Sequence, residues 1–247
     1  MNSFSSLPQI ERTGPRPWRA GSSKRSPRYG DLCRFVHRFA AWTAAALLLG
    51  SVALESAQAR PIRLVALGDS LTAGYSLPEK DAFPAVLQNA LAKAGVDIEV
   101  VNAGVSGDTA SDALERLDWT IDGDVDFAIV ELGANDMLRG IDPAITKSAI
   151  EGVLAKLKAK GVRPMLAGMM AAPGMGGGYE AAFNAIFPNV ANDMGVPLYA
   201  FFLDGVAGNP SLQLPDGMHP NAAGVRTIVD RILPSVKALI SISKTKS

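Results

Sequence analysis

The chain has 247 residues, a formal net charge of zero and 48% hydrophobic residues, a composition typical of a globular protein. Its charge is unevenly distributed: eight Lys and Arg residues precede Phe39, whereas residues 60–247 carry 16 basic and 21 acidic residues. This acidic balance leaves no basic stripe of the kind that binds nucleic acid, so we expect no nucleic-acid partner.

A targeting segment is predicted over residues 1–59. The sixteen residues from Phe39 to Leu54 carry no charge and follow a basic stretch, and Ala57-Gln58-Ala59 has the small-residue form of a cleavage signal. This is the pattern of a secretory signal peptide, and the apolar run is shorter than the roughly 20 residues of a membrane span. An uncleaved N-terminal anchor is the alternative. We expect cleavage after Ala59 and a periplasmic or secreted protein.

Cleavage would leave a single domain, residues 60–247. The only cysteine, Cys33, lies upstream of it, so neither a disulfide nor a thiolate metal site is expected. His219 is the one histidine of this domain, since His37 also lies upstream, which argues against a zinc site of the usual His and Cys ligands. We predict no metal, no cofactor and no stable membrane span in the mature domain.

Strands and helices alternate along this domain. Continuous apolar runs typical of buried parallel strands lie at 62–67, 96–101, 127–132, 163–169 and 198–202. Helical spacing of apolar residues follows at 83–94, around 113–117, and at 143–161, 179–194 and 220–242. Pro188 is expected to kink or split the fourth of these helices. The alternation predicts an α/β fold with a parallel sheet and right-handed crossovers, best described as a flavodoxin-like three-layer α/β/α sandwich.

The first strand runs into Gly68-Asp69-Ser70, a turn that would present a serine hydroxyl at the carboxyl edge of the sheet, where ligands bind. Polar clusters around Gly107 and Asn135 follow the second and third strands, so all three should converge at this edge. A serine nucleophile needs a base and oxyanion donors, and an amide side chain and a loop N–H are such donors. The local alternatives are a helix cap at Ser70, an Asx turn at Asn135 and a positive φ at Gly107.

A candidate base precedes the last helix. In Asp216-Gly217-Met218-His219, the carboxylate could hold the imidazole Nδ1–H and leave Nε2 to face a serine. The alternative is a turn with a structural histidine. The turn at Ser70 is not the G-x-S-x-G elbow, because Thr72 stands at the second glycine position.

Other polar residues near these clusters are interpreted as structural. Asp69 and Asp136 are expected to brace the loops, and Asp108 and Thr109 to cap the short helix that follows. The Gly-rich segment 169–179 lacks the G-K-[ST] ending of a phosphate loop. Its methionines and Tyr179 suggest an adaptable apolar rim for acyl groups, with a surface loop as the alternative.

Taken together, four blocks in this order resemble those of the SGNH (GDSL) hydrolase family. The blocks are Gly68-Asp69-Ser70-Leu71, Ser106-Gly107-Asp108-Thr109, Gly133-Ala134-Asn135-Asp136 and Asp216-Gly217-Met218-His219-Pro220. They span essentially the whole predicted domain. The longer strings around the second and third blocks resemble the bacterial thioesterase I/lysophospholipase L1 branch, which includes arylesterases.

The resemblance implies a role for each matching residue. Ser70 would be the nucleophile, His219 the base and Asp216 its orienter, while the Ser70 and Gly107 N–H groups and the Asn135 side chain would form the oxyanion hole. It also implies a five-stranded sheet in the order 2-1-3-4-5. Contacts to the acyl chain would come from Met137, Leu138, Ile141, Pro173, Met175 and Tyr179.

These expectations describe an exported serine esterase that acts on small acyl esters, thioesters or lysophospholipids through an acyl-enzyme on Ser70. A carbohydrate or peptidoglycan O-acetylesterase is one alternative, disfavoured because Trp119 is the only tryptophan after residue 59 and sugar sites use aromatic platforms. A non-catalytic lipid-binding domain on the same scaffold is the other. The presence of Ser70, Asp216 and His219 counts against that second alternative.

Overall fold

The structure is a computed structural model that describes residues 60–241. The predicted targeting segment and its cleavage site lie outside the described residues. Between residues 60 and 241, no helix combines the length and the apolar character needed to cross a membrane.

Five parallel strands form the centre of the domain. They are β1 (Ile62–Gly68), β2 (Ile98–Gly104), β3 (Phe127–Glu131), β4 (Arg163–Ala167) and β5 (Leu198–Tyr199). The sheet has the order β2-β1-β3-β4-β5, which confirms the order implied by the family resemblance. β5 is shorter than the predicted 198–202, because the chain leaves the ladder after Tyr199 and only the Phe202 N–H still reaches the Gly168 carbonyl, at 2.8 Å.

Helices cover both faces of the sheet. They are α1 (Ser70–Ala73), α2 (Phe83–Lys93), α3 (Ala110–Thr120), α4 (Ala134–Leu138), α5 (Pro143–Ala159), α6 (Gly177–Asn184), α7 (Ile186–Met194) and α8 (Ala222–Ser241). α2 packs against α8, whereas α5 packs against α3 and α7. Right-handed crossovers place these two groups on opposite faces, which confirms the three-layer sandwich.

Two helix boundaries differ from the sequence expectation for local reasons. The predicted helix at 179–194 is split into α6 and α7 at Ala185, and Pro188 occupies the first turn of α7, where its missing N–H costs least. The last helix begins at Ala222 and not at Pro220, because Asn221 caps it. The Asn221 Oδ1 accepts the N–H groups of Ala223 at 2.9 Å and Gly224 at 3.0 Å.

The first strand delivers Ser70 to the carboxyl edge through close backbone contacts. α1 lies directly on the end of β2, so a Cβ at Gly104 would be 2.3 Å from the Ala73 N and 2.9 Å from the Asp69 carbonyl O. These neighbours are backbone atoms that a rotamer change cannot move. The position of Ser70 therefore depends on a residue without a side chain at the end of β2.

Replacing Gly104 with Ala should lower the free energy of unfolding by about 1–3 kcal/mol, because the added methyl overpacks this contact. Gly178→Ala is the matched control: Gly178 lies in α6, and an added Cβ meets nothing within 4 Å. The control should be neutral or stabilising by up to about 1 kcal/mol. Urea denaturation of the three proteins measures both effects, and equal stability of the two variants would contradict the packing argument.

Candidate active site

Ser70, His219 and Asp216 form a continuous hydrogen-bonded row at the carboxyl edge. The Ser70 Oγ lies 2.9 Å from the His219 Nε2, and the His219 Nδ1 lies 2.7 Å from the Asp216 Oδ2. The other Asp216 oxygen, Oδ1, accepts the backbone N–H groups of Met218 at 2.9 Å and His219 at 3.0 Å. These backbone donors, followed by the imidazole, lower the pKa of Asp216 to about 2, so this carboxylate is ionised at neutral pH.

The loop that carries His219 is held closed by its own backbone. Gln213 and Pro220 form an isolated antiparallel bridge, and the Leu214 N–H donates to the His219 carbonyl at 2.7 Å. Gly217 provides the turn between them with a φ of +67°. The loop therefore sets the imidazole position before any ligand binds.

The ring of Tyr75 packs against the imidazole of His219. Tyr75 was not singled out from the sequence. Its ring centroid lies 4.5 Å from that of His219, with 32° between the planes. Such aromatic contacts add to the burial of the two rings. The only signal in the sequence is that Tyr75 follows Ser70 closely in the chain, which does not reveal a contact with a residue near the C-terminus.

The three residues predicted to supply oxyanion donors, Ser70, Gly107 and Asn135, line one cleft. Among residues 60–241, no protein acceptor takes the backbone N–H of Ser70 or of Gly107. Gly107 has a φ of +94°, and its carbonyl accepts a hydrogen bond from the Arg139 Nη2 at 2.7 Å. The Asn135 Nδ2 already donates to the Asp69 Oδ2 at 3.1 Å and to the Asp108 carbonyl at 3.0 Å. Two donors are thus unpaired, and the third would have to share a hydrogen.

Buried carboxylates brace the loops of the site, as expected for Asp69 and Asp136. The Asp69 Oδ1 accepts the Leu71 N–H at 2.9 Å, and burial raises the pKa of Asp69 to about 6. Asp136 accepts the Ala110 N–H at 2.9 Å and the Thr146 hydroxyl at 3.0 Å. Each carboxylate therefore joins one strand-end loop to another element.

The expected capping of α3 is half right. Thr109 is the N-cap, and it exchanges two hydrogen bonds with Asp112 in a capping box. Asp108 does not cap the helix, because its carboxylate pairs with the Arg116 guanidinium.

Arg116 is a second residue that the sequence reading missed. Besides Asp108, its guanidinium donates to the Gly68 carbonyl at 3.1 Å and to the Ala103 carbonyl at 2.9 Å. It therefore ties together the ends of β1 and β2 and the loop that carries Gly107. Its i+3 spacing from the buried Ala113 places it on the core-facing side of α3, and that was the available signal.

The cleft beside Ser70 has a volume of about 650 Å³ and a largely apolar wall. Three of the six residues predicted to contact an acyl chain line it, namely Met137, Leu138 and Pro173. Wall residues that the sequence reading did not single out follow β5 at the same sheet edge and include Phe201, Leu203 and Ala207. Their place after a strand end was the available signal.

The other three predicted contact residues do not line the cleft. The Tyr179 hydroxyl donates to the Ile141 carbonyl at 3.0 Å, and its ring stacks on Phe183 with 6.0 Å between centroids. Met175 packs against the hydrophobic core. Tyr179 and Met175 are thus engaged with other parts of the protein, and Ile141 contributes its carbonyl to the Tyr179 hydrogen bond. In the described part of the chain, no group of three or more His, Cys, Asp or Glu residues is arranged to hold a metal ion.

The parallel sheet, the edge position of Ser70 and its contact with His219 define the fold and site layout of an SGNH hydrolase. Residues 66–227 match the GDSL-like Lipase/Acylhydrolase family, and the chain belongs to that family.

Relatives within the family are similar over most of their length. An arylesterase of Vibrio mimicus is 36% identical over 168 residues, which are 68% of this chain and 84% of the relative. A protein of Escherichia coli named thioesterase 1/protease 1/lysophospholipase L1 is 36% identical over 179 residues, 72% of this chain and 85% of the relative. The crystal structure of TesA has a TM-score of 0.69 at 34% identity and covers 72% of this chain and 99% of its own.

Proposed function

We propose that this protein is a serine esterase that hydrolyses acyl esters or thioesters through an acyl-enzyme on Ser70. The observation that carries the proposal is the unbroken row from the Ser70 Oγ through the His219 imidazole to the Asp216 carboxylate, which opens onto an apolar cleft. A serine hydroxyl is a weak nucleophile unless a positioned base takes its proton. Here both the base and the group that orients it are within hydrogen-bond distance.

In the first half of the reaction, the Ser70 Oγ attacks the carbonyl carbon while the His219 Nε2 takes the hydroxyl proton. Asp216, ionised at neutral pH, holds the Nδ1–H and stabilises the imidazolium. The tetrahedral intermediate collapses when the imidazolium gives its proton to the leaving alcohol or thiol. Water then attacks the acyl-enzyme by the same steps and releases the carboxylic acid.

The negative oxygen of the intermediate would be held by the Ser70 and Gly107 N–H groups, which have no protein acceptor in residues 60–241. Donors that are already oriented cost no reorganisation when charge develops. The Asn135 Nδ2 would add a third hydrogen bond by sharing a hydrogen that it gives to Asp69 or to the Asp108 carbonyl.

The substrate class follows from the wall of the cleft. Leu138, Met170 and Pro173 line it, and methionine side chains adapt to irregular apolar shapes. Such a wall suits the acyl part of a small ester, a thioester or a lysophospholipid. The names of the relatives, an arylesterase and a thioesterase 1/protease 1/lysophospholipase L1, support the same range of substrates.

Ser70→Ala should abolish turnover of p-nitrophenyl esters and leave the thermal unfolding midpoint close to that of the parent. A fluorophosphonate probe should label the parent and the matched variant Ser148→Ala, whose serine is exposed on α5, but should not label Ser70→Ala. Failure of the parent to react would favour a non-catalytic lipid-binding domain. Turnover of acetate esters alone, with no activity on longer chains, would favour an O-acetylesterase.

Asn135→Ala should lower kcat by roughly 10²–10³ if the amide stabilises the oxyanion. The effect should fall on kcat, because the hydrogen bond strengthens only as charge develops on the substrate oxygen. Asn89→Ala, an exposed position in α2, is the control and should leave kcat unchanged. Steady-state kinetics on one ester measures both, and a loss confined to KM would contradict the oxyanion role.

We also propose that the chain is exported and cleaved after Ala59, on the strength of the apolar run from Phe39 to Leu54 and the small residues that follow it. N-terminal sequencing of protein from the periplasm or the medium should begin at Arg60. The variant Ala59→Leu should retain the upstream segment, because a bulky residue does not fit the cleavage signal. Uncleaved parent protein in the cytosol would contradict this proposal.

A further inference from the structure

A fully buried carboxyl group that takes no part in the proposed reaction lies beneath the Ser70 turn. Glu131 is the last residue of β3, and its register partner on β1 is Gly68, two residues before Ser70. Its side chain is 0% exposed. The Glu131 Oε2 accepts the Thr72 hydroxyl at 2.8 Å, whereas its Oε1 has no hydrogen-bond partner.

The Thr72 hydroxyl and the Glu131 carboxyl group occupy the space that a side chain at Gly68 would need. A Cβ at Gly68 would lie 2.1 Å from the Thr72 Oγ1 and 2.7 Å from the Glu131 Oε2. Thr72 belongs to α1, which has only four residues and begins with Ser70. A helix this short has little stability of its own, so a buried side-chain hydrogen bond to β3 is a substantial part of what fixes it.

Two carboxyl groups are buried here, and their hydrogen bonds indicate which one carries the charge. Asp69 accepts the Leu71 N–H and the Asn135 amide, one on each oxygen. Glu131 accepts the Thr72 hydroxyl, and the backbone N–H groups of Asp69 and Thr72 also favour its ionised form, but more weakly than burial and the charge of Asp69 oppose it. Burial, followed by the negative charge of Asp69, raises the pKa of Glu131 well above its ordinary value. The raised pKa of Glu131 thus favours the proton on Glu131 and the negative charge on Asp69.

The other charged groups nearby act on Asp69 or on the backbone. His219, in the loop before α8, and Asp136, in α4, interact with the Asp69 carboxylate. The Arg116 guanidinium is directed to the Gly68 carbonyl and to Asp108. No cation pairs with Glu131 within residues 60–241, and an ionised glutamate in that place would be an uncompensated buried charge.

We propose that Glu131 is a positioning residue, held as a neutral acid, that fixes the Ser70 hydroxyl through Thr72 and leaves Asp69 charged to hold the Asn135 amide. The inference rests on the proposed esterase function for its kinetic consequence. Its electrostatic part concerns the folded protein alone and does not require activity. A neutral acid differs little in shape and hydrogen bonding from an amide, so glutamine should replace it.

The first experiment compares kcat and KM for an ester substrate in four variants near pH 8. Glu131→Gln keeps an acceptor for Thr72 and should retain kcat within about threefold of the parent. Glu131→Met and Thr72→Val each remove one partner of the hydrogen bond and should lower kcat roughly tenfold, with KM nearly unchanged, because Ser70 is then less well oriented. The double variant Thr72→Val/Glu131→Met should lose no more than either single variant, since both remove the same interaction.

Two results would overturn the positioning role. Glu131→Gln as slow as Glu131→Met would mean that an ionisable proton is required, and full kcat in Glu131→Met would mean that the contact is only structural. Urea denaturation of each variant at the assay temperature separates a loss of folded protein from a loss of kcat. If the parent protein itself has no esterase activity, the proposed function fails and the second experiment still tests the charge state of Glu131.

The second experiment compares the unfolding equilibria of the parent and Glu131→Gln from about pH 6.5 to 8, above the pKa of Asp69. In the unfolded parent Glu131 is ionised over this range, whereas the folded parent keeps its proton, so the folded state binds one more proton. As long as the pH stays below the pKa of Glu131 in the folded protein, each unit of pH increase should therefore lower the folding equilibrium constant of the parent about tenfold relative to that of Glu131→Gln. Asp69 is common to both proteins. A ratio independent of pH would show that Glu131 is already ionised when folded.

Discussion

The site depends on one steric constraint: the chain must turn from β1 into α1 where neither Gly68 nor Gly104 has room for a side chain. Gly68 leaves its space to the hydroxyl of Thr72 and the carboxyl of Glu131, and Gly104 lets α1 lie on the end of β2. Arg116 then joins the carbonyl of Gly68 to that of Ala103. Because interiors this closely packed do not deform smoothly, the Ser70 hydroxyl is held in place by its neighbours in the fold and not by the four residues of α1 alone.

Some carboxyl groups around this turn are ionised and one is favoured in its neutral form, and the surroundings of each group determine which form is favoured. Asp216 lies near the surface in a loop that supplies two backbone N–H donors, so its pKa falls to about 2 and its charge is available to the imidazole. Asp69 is fully buried, its pKa rises to about 6, and its charge is used to hold an amide and a backbone N–H. Glu131 is fully buried beside Asp69, and this burial, followed by the negative charge of Asp69, favours its neutral form. The charge of each carboxyl group thus follows the balance between its burial and the hydrogen-bond donors around it.

Sequence patterns predicted what depends on local order in the chain. Apolar runs located all five strands, and the three-residue spacing from Asp216 to His219 was enough to expect their contact. The strand order came from the family resemblance, since periodicity carries no information about neighbours. Arg116 and Tyr75 were missed because their partners are distant in the chain and appear only after folding. Ile141 and Tyr179 were predicted to contact substrate because the family resemblance places acyl-chain contacts in their segments, but in the folded structure the Tyr179 hydroxyl donates to the Ile141 carbonyl.

The cleft combines a fixed site at Ser70 with an apolar wall that can adapt. Under the proposed function, this combination would let one fold accept different acyl groups. Ser70 and its supports are fixed by buried hydrogen bonds, whereas Leu138 and Met170 on the wall are 55% and 49% exposed. Apolar side chains that remain in solvent gain free energy only when a ligand covers them, at roughly 25 cal/mol per Å² of buried area. Under the proposed function, the acyl chain would bind at a surface that can repack without moving Ser70. Changes in the wall would then alter which esters bind, while the geometry at Ser70 would stay the same for all of them.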